Sequence, residues 1–216
     1  ATPAPAVPRH AGAAGAIGAR TMSMPATGPY RFFAPTPAGP AHWDRCTPVP
    51  VFVRWTGAPP SFRADLTEAL RRLAAASGLR FTVSPTTSLP LRPGSGADDV
   101  PGGIYIAWTT PRLVPQLAGP TASYTEPLWV PLPGREPQIV EAGVALDRTH
   151  TFRPGFAPNN GLGDLLLHEL GHAVGLAHVS DPTQVMYPAV NAASTGRFGS
   201  GDLAGLRRLA AYPCFG

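Results

Sequence analysis

The chain has 216 residues, which fits one domain of ordinary size together with a tail. Its net charge is a mild +4, and all 17 of its basic residues are arginines, scattered along the sequence. A nucleic-acid interface would need a dense basic stripe with interleaved aromatic side chains. A membrane span would need about eighteen consecutive apolar residues. The sequence contains neither pattern, so we expect neither a nucleic-acid partner nor a membrane span.

Residues 1–41 are rich in Ala, Pro and Gly and lack sustained apolar periodicity. Such a composition buries too little apolar surface to offset the entropy lost on ordering, so we expect a tail, a linker or the remnant of a pro-segment. Three aromatic residues within it, Tyr30, Phe32 and Phe33, could dock on the domain that follows, residues 42–216. The first residues show no signal-peptide pattern, and we expect that a secretion signal has been removed.

Strand and helix signals alternate at the start of the predicted domain. Residues 49–55 place every second valine on one face and predict a first strand. A helix is then expected between an N-cap at Ser61 and a stop at Gly78. Its apolar residues recur at helical spacing: Phe62, Leu66, Leu70 and Leu73. Alternating apolar residues from Leu79 to Val83 predict a second strand.

Three further strands are predicted before the next helix. Residues 104–108 alternate in the first of them, and residues 121–130 and 139–147 form the other two. A strand, a helix and then a run of strands before a long helix indicates an α+β fold with a twisted mixed β-sheet. A last helix, capped by Ser200, would follow near the end of the chain.

The most informative stretch is the run HELGHAVGLAH that begins at His168. On a helix, His168 and His172 leave the same face one turn apart and can bind one metal ion. Glu169 lies about a quarter-turn further round, beside the metal, where a metal-bound water would sit. Gly175 has no Cβ and can end the helix, which lets His178 approach the ion from another side. Three protein ligands with one open position are typical of catalytic zinc.

The helix that carries this run is expected to begin between Asn159 and Asp164, since both residue types are good caps. Leu166, Leu170 and Val174 recur every four residues on the face turned away from the histidines. We therefore expect the leucine face to be buried against the sheet and the histidine face to line a cleft.

The sequence from His168 to Pro188, HELGHAVGLAHVSDPTQVMYP, closely resembles the active-site segment of the matrixins, the matrix-metalloproteinase-like branch of the metzincins. The resemblance includes the Met-turn at Met186, and the final helix with Asp202 is similar to the family's closing helix. It implies a zincin-like fold with an active-site helix, a second sheet-packed helix and a C-terminal helix. It also implies an endopeptidase with one catalytic Zn²⁺ and a substrate groove. Tyr187 and Pro188 would form one wall of the pocket for the side chain after the cut.

The sequence also departs from the family pattern. Val179 follows the third histidine, and the serine expected there stands one position later, at Ser180. The family's pro-peptide switch motif is absent, and the remaining histidines, among them His150, offer no clear equivalent of the structural metal ligands of animal members. Asp98 and Asp99, in a glycine-rich loop, could take a Ca²⁺ ion, and a solvated loop is the alternative.

Zinc chemistry suggests a mechanism for this set of residues. Neutral His168, His172 and His178 would bind Zn²⁺ and leave a water in the fourth position, with its pKa lowered towards neutrality. Glu169 would take the proton as the water attacks the polarised carbonyl and would then pass it to the leaving amine. Met186 would pack beneath the imidazoles as an apolar floor and is not expected to be a ligand.

The two cysteines, Cys46 and Cys214, bracket the predicted domain. We expect a disulfide between them, and hence an oxidising compartment and secretion. In the chain-entropy model, closing so long a loop contributes up to about 4–5 kcal/mol. Alternatively, Cys46 could be a free thiol that binds the metal and keeps an enzyme inactive, and a thiol count on the unreduced protein distinguishes the two.

Two functions from different classes remain open. The first is a secreted, monomeric zinc endopeptidase that binds polypeptide in extended form along a strand edge, either at residues 107–111 or near Tyr124. The second is a non-catalytic, zinc-containing extracellular binding module on the same fold. Decayed enzymes usually lose the general base or a ligand, and here the three histidines and Glu169 are all present, which favours the enzyme.

Overall fold

A five-stranded mixed sheet lies at the centre of the structure, a computed structural model that describes residues 30–85 and 102–215. The elements, in chain order, are β1 (Arg31–Phe32), β2 (Pro35–Thr36), β3 (Gly39–Pro40), β4 (Val49–Arg54), α1 (Phe62–Ser77), β5 (Phe81–Pro85), β6 (Gly103–Thr109), a 3₁₀ turn (Pro115–Leu117), β7 (Ser123–Val130), β8 (Gln138–Asp147), α2 (Leu162–Ala173), β9 (Leu176–Ala177) and α3 (Ser200–Ala210). The strand order of the central sheet is β5-β4-β6-β8-β7. All neighbours are parallel except β7 and β8, which are antiparallel. This α+β architecture confirms the predicted fold class.

The helices cover the sheet and form the core with it. α1 connects the parallel strands β4 and β5, which cannot be joined by a tight turn. α1 and α2 pack against each other, and α2 also contacts β7 and β8. All twelve residues of α2 are buried, so the predicted contrast between a buried leucine face and an open histidine face is too simple. The histidine face is also largely enclosed.

The N-cap residues of the helices differ from prediction in their identity or in their hydrogen bonds. α1 follows Ser61 and ends at Gly78 as expected, but the Ser61 side chain makes no capping hydrogen bond. Glycine, rather than Asn, Asp or Ser, is the N-cap of the other two helices, at Gly161 and Gly199. Gly199 is supported from inside the helix, because Asp202 accepts a hydrogen bond from its N–H at 3.0 Å.

The edge strand β5 begins later than predicted, at Phe81, and it is largely exposed, with Val83 at 48%. Most of the predicted loop before β6 lies outside the described residues.

Residues 30–41 pack against the predicted domain. β1 pairs antiparallel with β9, and the N–H of Phe33 donates to the carbonyl of Gly175 at 2.8 Å. Ala34 and Ala41 are buried in the main core. The docking expected for the aromatic residues of this segment agrees with these contacts, whereas the boundary at residue 42 stays a prediction.

A disulfide joins Cys46 to Cys214, with their Cα atoms 5.8 Å apart. It attaches the segment after α3 to the segment before β4, as predicted, and occupies the thiol that could otherwise have bound a metal. Arg135 adds two hydrogen bonds to this end of the chain, to the carbonyls of Cys214 (2.7 Å) and Phe215 (3.0 Å). Among the described residues, no helix is both long and apolar enough to cross a membrane.

Candidate metal centre

The three histidines of the sequence motif converge on one point. The Nε2 atom of His172 lies 3.1 Å from that of His168 and 3.0 Å from that of His178, and the third side of the triangle is 3.1 Å. Ligand nitrogens about 2.0–2.1 Å from a tetrahedral zinc lie roughly 3.3 Å apart, close to the separations found here. The triangle therefore has the size of a three-histidine zinc site.

Hydrogen bonds on the far side of two rings fix which nitrogen faces the centre. His168 donates from Nδ1 to the carbonyl of Val185 at 2.7 Å, and His172 donates from Nδ1 to the carbonyl of Leu176 at 2.8 Å. With the proton on Nδ1, each Nε2 presents a lone pair to the other rings. Lone pairs packed this closely repel one another unless a cation lies between them, so the donor set fits a metal ion.

A second group of potential ligands does not make a metal site. Within residues 30–85 and 102–215, one other set of three candidate ligands lies as close together, namely Asp44, Cys46 and Cys214. The two sulfurs of that set are joined in the disulfide and cannot act as thiolates. Asp98 and Asp99 lie outside the described residues, and the calcium suggestion finds no support.

The backbone after α2 brings the third histidine to the site. α2 ends at Ala173, and Gly175 adopts a positive φ of 110°, which favours glycine and lets the chain reverse. A Cβ at Gly175 would also come within 3.0 Å of the carbonyl oxygen of Ala41, so close packing gives a second reason for glycine. The chain then runs through β9 to His178.

Burial favours the neutral, metal-binding form of His172 and His178. The pKa of His172 is lowered well below its usual value, first by burial and then by its two histidine neighbours. Desolvation is also the main cause that lowers the pKa of His178 to about 4, with smaller effects from His168 and Arg31. The side chain of His178 is the most exposed of the three, but its Nε2 edge faces the other rings. Neutral imidazole is the ligand form of histidine.

The Glu169 side chain is held by two hydroxyl groups of β7. Its side chain is buried, with 3% exposed. Ser123 donates to Oε1 at 2.6 Å, and Thr125 donates to Oε2 at 2.5 Å. A buried carboxylate needs such partners, because an unpaired charge inside a protein is costly. The carboxylate is thus fixed on the strand side of the helix, one residue from the histidine at the start of the motif.

The Met-turn is attached to α2 and α3. Met186 is 1% exposed, and its sulfur lies against Gly171, where any Cβ would overlap it. Asp202 of α3 accepts hydrogen bonds from the backbone N–H groups of Val185 at 2.7 Å and Met186 at 3.4 Å. Burial raises the pKa of Asp202, and the backbone N–H groups that it accepts from oppose that shift.

The free edge of β7 is the strand edge that remains for an extended peptide. β6, which contains most of residues 107–111, lies between β4 and β8 and has both edges paired. β7 pairs with β8 alone among the described strands, and its Ser123 and Thr125 contact the site directly. Of the two strand edges considered from the sequence, we retain the one near Tyr124.

Two exposed aromatic side chains lie close together, one on β7 and one near His172. Phe33 and Trp129 are each 38% exposed, and their ring centroids lie 6.4 Å apart. The Phe33 ring also lies 6.3 Å from the ring of His172. Large exposed apolar side chains that cluster next to a polar centre are typical of a ligand-binding surface.

The two residues predicted to form the pocket wall, Tyr187 and Pro188, do not line the hollow next to the Met-turn. Tyr187 is half-buried and Pro188 is exposed. A small open hollow lies beside the Met-turn, lined by Asp164, Val185, Ala189, Val190, Ser194 and others. Neither Tyr187 nor Pro188 is among its lining residues, so their role as a pocket wall stays a prediction.

Sequence reasoning missed the residues that support the site from other elements. Ser123 and Thr125 lie two apart on a strand and so share a face, and two hydroxyl residues on a face that packs against a helix are a signal that could have been noticed. Asp202 was identified by resemblance alone, without its hydrogen bonds. Phe33 was expected to dock, but Trp129 was not singled out.

Comparison with known families agrees with the geometry. The family model described as matrixin matches residues 135–211. This segment contains β8, α2, α3, the three histidines, Glu169 and the Met-turn. The match confirms the resemblance seen in the sequence. No curated protein matches the chain.

Proposed function

We propose, from the premise that residues 135–211 make this chain a matrixin-like metzincin and hence a member of a zinc metallopeptidase family, that it is a zinc-dependent endopeptidase. One observation carries the proposal: three imidazoles have converging Nε2 atoms, and Glu169, the residue directly after the first of these histidines, has a buried carboxylate that two hydroxyls orient. A ligand triad needs only the histidines. Hydrolysis needs a general base as well, and we propose the Glu169 carboxylate for that part.

Each residue has a defined part in the proposed reaction. His168, His172 and His178 would hold a zinc ion through neutral rings, which do not offset its charge. Zinc bound in this way supplies Lewis-acid activation of a carbonyl and of a water molecule. Glu169 accepts the proton of the attacking water and returns it to the amine nitrogen as the peptide bond breaks. Met186 fills the space beneath α2 and takes no part in proton transfer.

The proposed substrate is a polypeptide in extended form along the free edge of β7. Backbone hydrogen bonds to an edge strand select for extended chain rather than for particular side chains. Phe33 and Trp129 would contact a substrate side chain on the His172 side, and Tyr187 with Pro188 remain the proposed wall for the residue after the cut. We further propose that the catalytic domain comprises residues 42–216, with residues 30–41 packed against it, and acts as a monomer.

We also propose secretion, because the disulfide between Cys46 and Cys214 is of the kind that persists in oxidising compartments. Purification of the protein from the culture medium and from the cytoplasm of the producing cell, with a thiol count on each, tests this part independently of activity.

A cleavage assay tests the enzymatic proposal. The protein should hydrolyse denatured casein or a mixed peptide library, lose the activity on treatment with a zinc chelator and regain it when Zn²⁺ is added. His178→Ala should abolish both zinc binding and cleavage, whereas the matched variant His150→Ala should keep both. His150 is a partly exposed histidine that contacts Asp147 and not the triad. Bound zinc with no hydrolysis of any substrate would instead support the binding module.

A further inference from the structure

We infer that Ser123 and Thr125 are positioning residues that hold the Glu169 carboxylate in the orientation for proton transfer. The inference rests on the proposed function. Both hydroxyls come from one strand, and each donates to a different oxygen of the same carboxylate, at 2.6 Å and 2.5 Å. Together they form what we call the hydroxyl clamp, defined as Ser123, Thr125 and Glu169.

The clamp joins two separate elements of the fold. Glu169 lies on α2, and the hydroxyls lie on β7, 46 and 44 residues earlier in the sequence. Residues two apart on a strand point to the same face, so one strand can present both donors to one side chain. The register of β7 against β8 is fixed by the pairs Ser123 with Leu146 and Thr125 with Val144. The donors are therefore held by the sheet rather than by a loop.

Two donors determine the plane of the carboxylate as well as its position. A glutamate side chain has three rotatable bonds, and one hydrogen bond would leave rotation about the last of them. A carboxylate has about four lone-pair sites, so after two hydrogen bonds it still has sites to accept a proton. The clamp orients the base without occupying all of its acceptor capacity, and a displacement of about 1 Å at such a group can cost on the order of 100-fold in rate.

The same strand would also bind the substrate. If the polypeptide lies along the free edge of β7, the position of its scissile bond is set by β7, and the clamp sets the base relative to that strand. The same rigid strand then positions both the general base and the substrate. This arrangement predicts that loss of the clamp lowers kcat and leaves KM nearly unchanged, because substrate contacts to the strand edge remain.

A merely structural role is the competing explanation, since a buried carboxylate needs partners in any protein. Removal of the hydroxyls would then reduce folding stability and active fraction without an effect on turnover per correctly folded, zinc-loaded molecule. A rate per zinc-loaded molecule, together with the unfolding midpoint, separates the two explanations.

The experiment compares Thr125→Val, Ser123→Ala and the double variant with Thr125→Ser as the rescue. Thr125→Val keeps the shape of the side chain and removes the hydroxyl. Thr109→Val is the matched control, because Thr109 is a buried threonine of the same sheet whose hydroxyl has no hydrogen-bond partner. Zinc content, the unfolding midpoint, kcat and KM on one fluorogenic peptide are measured for each.

We expect the double variant to lose about 10- to 100-fold in kcat, with KM within about twofold and about one zinc per chain. Thr125→Ser should recover to within about threefold of the parent, and Thr109→Val should match the parent. In a Glu169→Ala background, addition of Thr125→Val should cause no further loss, because the group that it positions is gone. An unchanged kcat, a change confined to KM, or equal losses in Thr125→Ser and Thr125→Val would overturn the inference.

A crystal structure of the zinc-loaded double variant supplies a readout that does not depend on activity. Glu169 should occupy more than one rotamer, and a single unchanged rotamer would contradict the clamp. If the parent protein binds zinc but hydrolyses nothing, the proposed function fails. The structural comparison then still decides whether the hydroxyls orient the carboxylate.

Discussion

Asp202 accepts a hydrogen bond from the N–H of Val185 at 2.7 Å, and the carbonyl of the same Val185 accepts from His168 Nδ1, also at 2.7 Å. A helix near the end of the chain is thereby connected to a metal-ligand candidate through a single residue of the Met-turn. Hydrogen bonds of this kind fix the tautomer and the ring orientation of metal-binding histidines.

Asp202→Ala is expected to weaken both folding and zinc binding. Three backbone N–H groups, including that of Gly199, lose their acceptor, and the free energy of unfolding should fall by about 2–4 kcal/mol. Zinc affinity should fall by about 10- to 100-fold, because the carbonyl that orients His168 is no longer held. Chemical denaturation and competition with a chelator measure the two effects. If the folded variant binds zinc as tightly as the parent, the hydrogen bonds from Asp202 through Val185 to His168 do not contribute to zinc binding.

The disulfide is expected to stabilise the fold and to leave the chemistry unchanged. The double variant Cys46→Ser, Cys214→Ser should lose about 2–5 kcal/mol of unfolding free energy. It should retain the parent kcat per folded molecule at low temperature, since neither sulfur lies in the histidine triad. A thiol count on the unreduced, denatured parent is the control, and two free thiols there would contradict the bridge.

The carboxyl of Asp164 predicts a specific pH dependence of stability. Burial raises its pKa from 3.8 to about 6, while the Gly196 N–H and the Arg72 charge act in the opposite direction. The folded state therefore holds this proton more tightly than the unfolded state. The stability that the proton contributes is fully present below about pH 4 and is lost as the pH rises through about 6.

Asp164→Asn should consequently become more stable relative to the parent as the pH rises. The two proteins should differ little near pH 4, and the variant should be favoured by up to about 2–3 kcal/mol above pH 7. Urea unfolding of both proteins in the zinc-free form isolates the effect, because the histidine ligands then contribute equally. A difference in unfolding free energy between the two proteins that stays constant from pH 4 to pH 7 would contradict the raised pKa of Asp164.

Trp129→Ala should reduce affinity for substrates with a large apolar side chain on the His172 side of the cut. The substrate would bury the Trp129 ring on binding, so loss of this contact should raise KM about tenfold for such peptides and leave kcat nearly unchanged. Val83→Ala is the matched control, because Val83 is an exposed apolar residue on β5, at the opposite edge of the sheet from β7. If both variants change KM by the same factor for every peptide in a library, a subsite at Trp129 is excluded.

Local patterns were sufficient to predict α1, β4, the end of α2 near Gly175 and the three histidines that converge in the fold. Each depends on spacing within one segment, such as the one-turn separation of His168 and His172. The hydroxyl clamp could not be predicted in the same way, because it depends on how β7 is placed against α2. Strand signals give no direct information about pairing order, and the placement of β7 at the sheet edge followed only from the complete topology.

The capping differences have a related origin. Asn159 and Ser200 suit helix starts by propensity, but Gly161 and Gly199 lie where other parts of the chain leave no room for a side chain. A Cβ at Gly199 would overlap the side chain of Gln184, and one at Gly161 would overlap the backbone of Ala157. Tertiary packing against Gln184 therefore overrides the local preference at Gly199, and the tight turn from Ala157 leaves no room for a side chain at Gly161.

The most direct test of the central claim is the turnover of zinc-loaded Glu169→Gln. This variant keeps the shape of the side chain but cannot accept the proton; its amide oxygen can still accept from one of the hydroxyls of Ser123 and Thr125, and its amide nitrogen can donate to the other. We expect about one zinc per chain, as in the parent, and a loss of about 10²- to 10⁴-fold in kcat. Cleavage at the parent rate by the zinc-loaded variant would contradict the assignment of Glu169 as general base and the mechanism built on it.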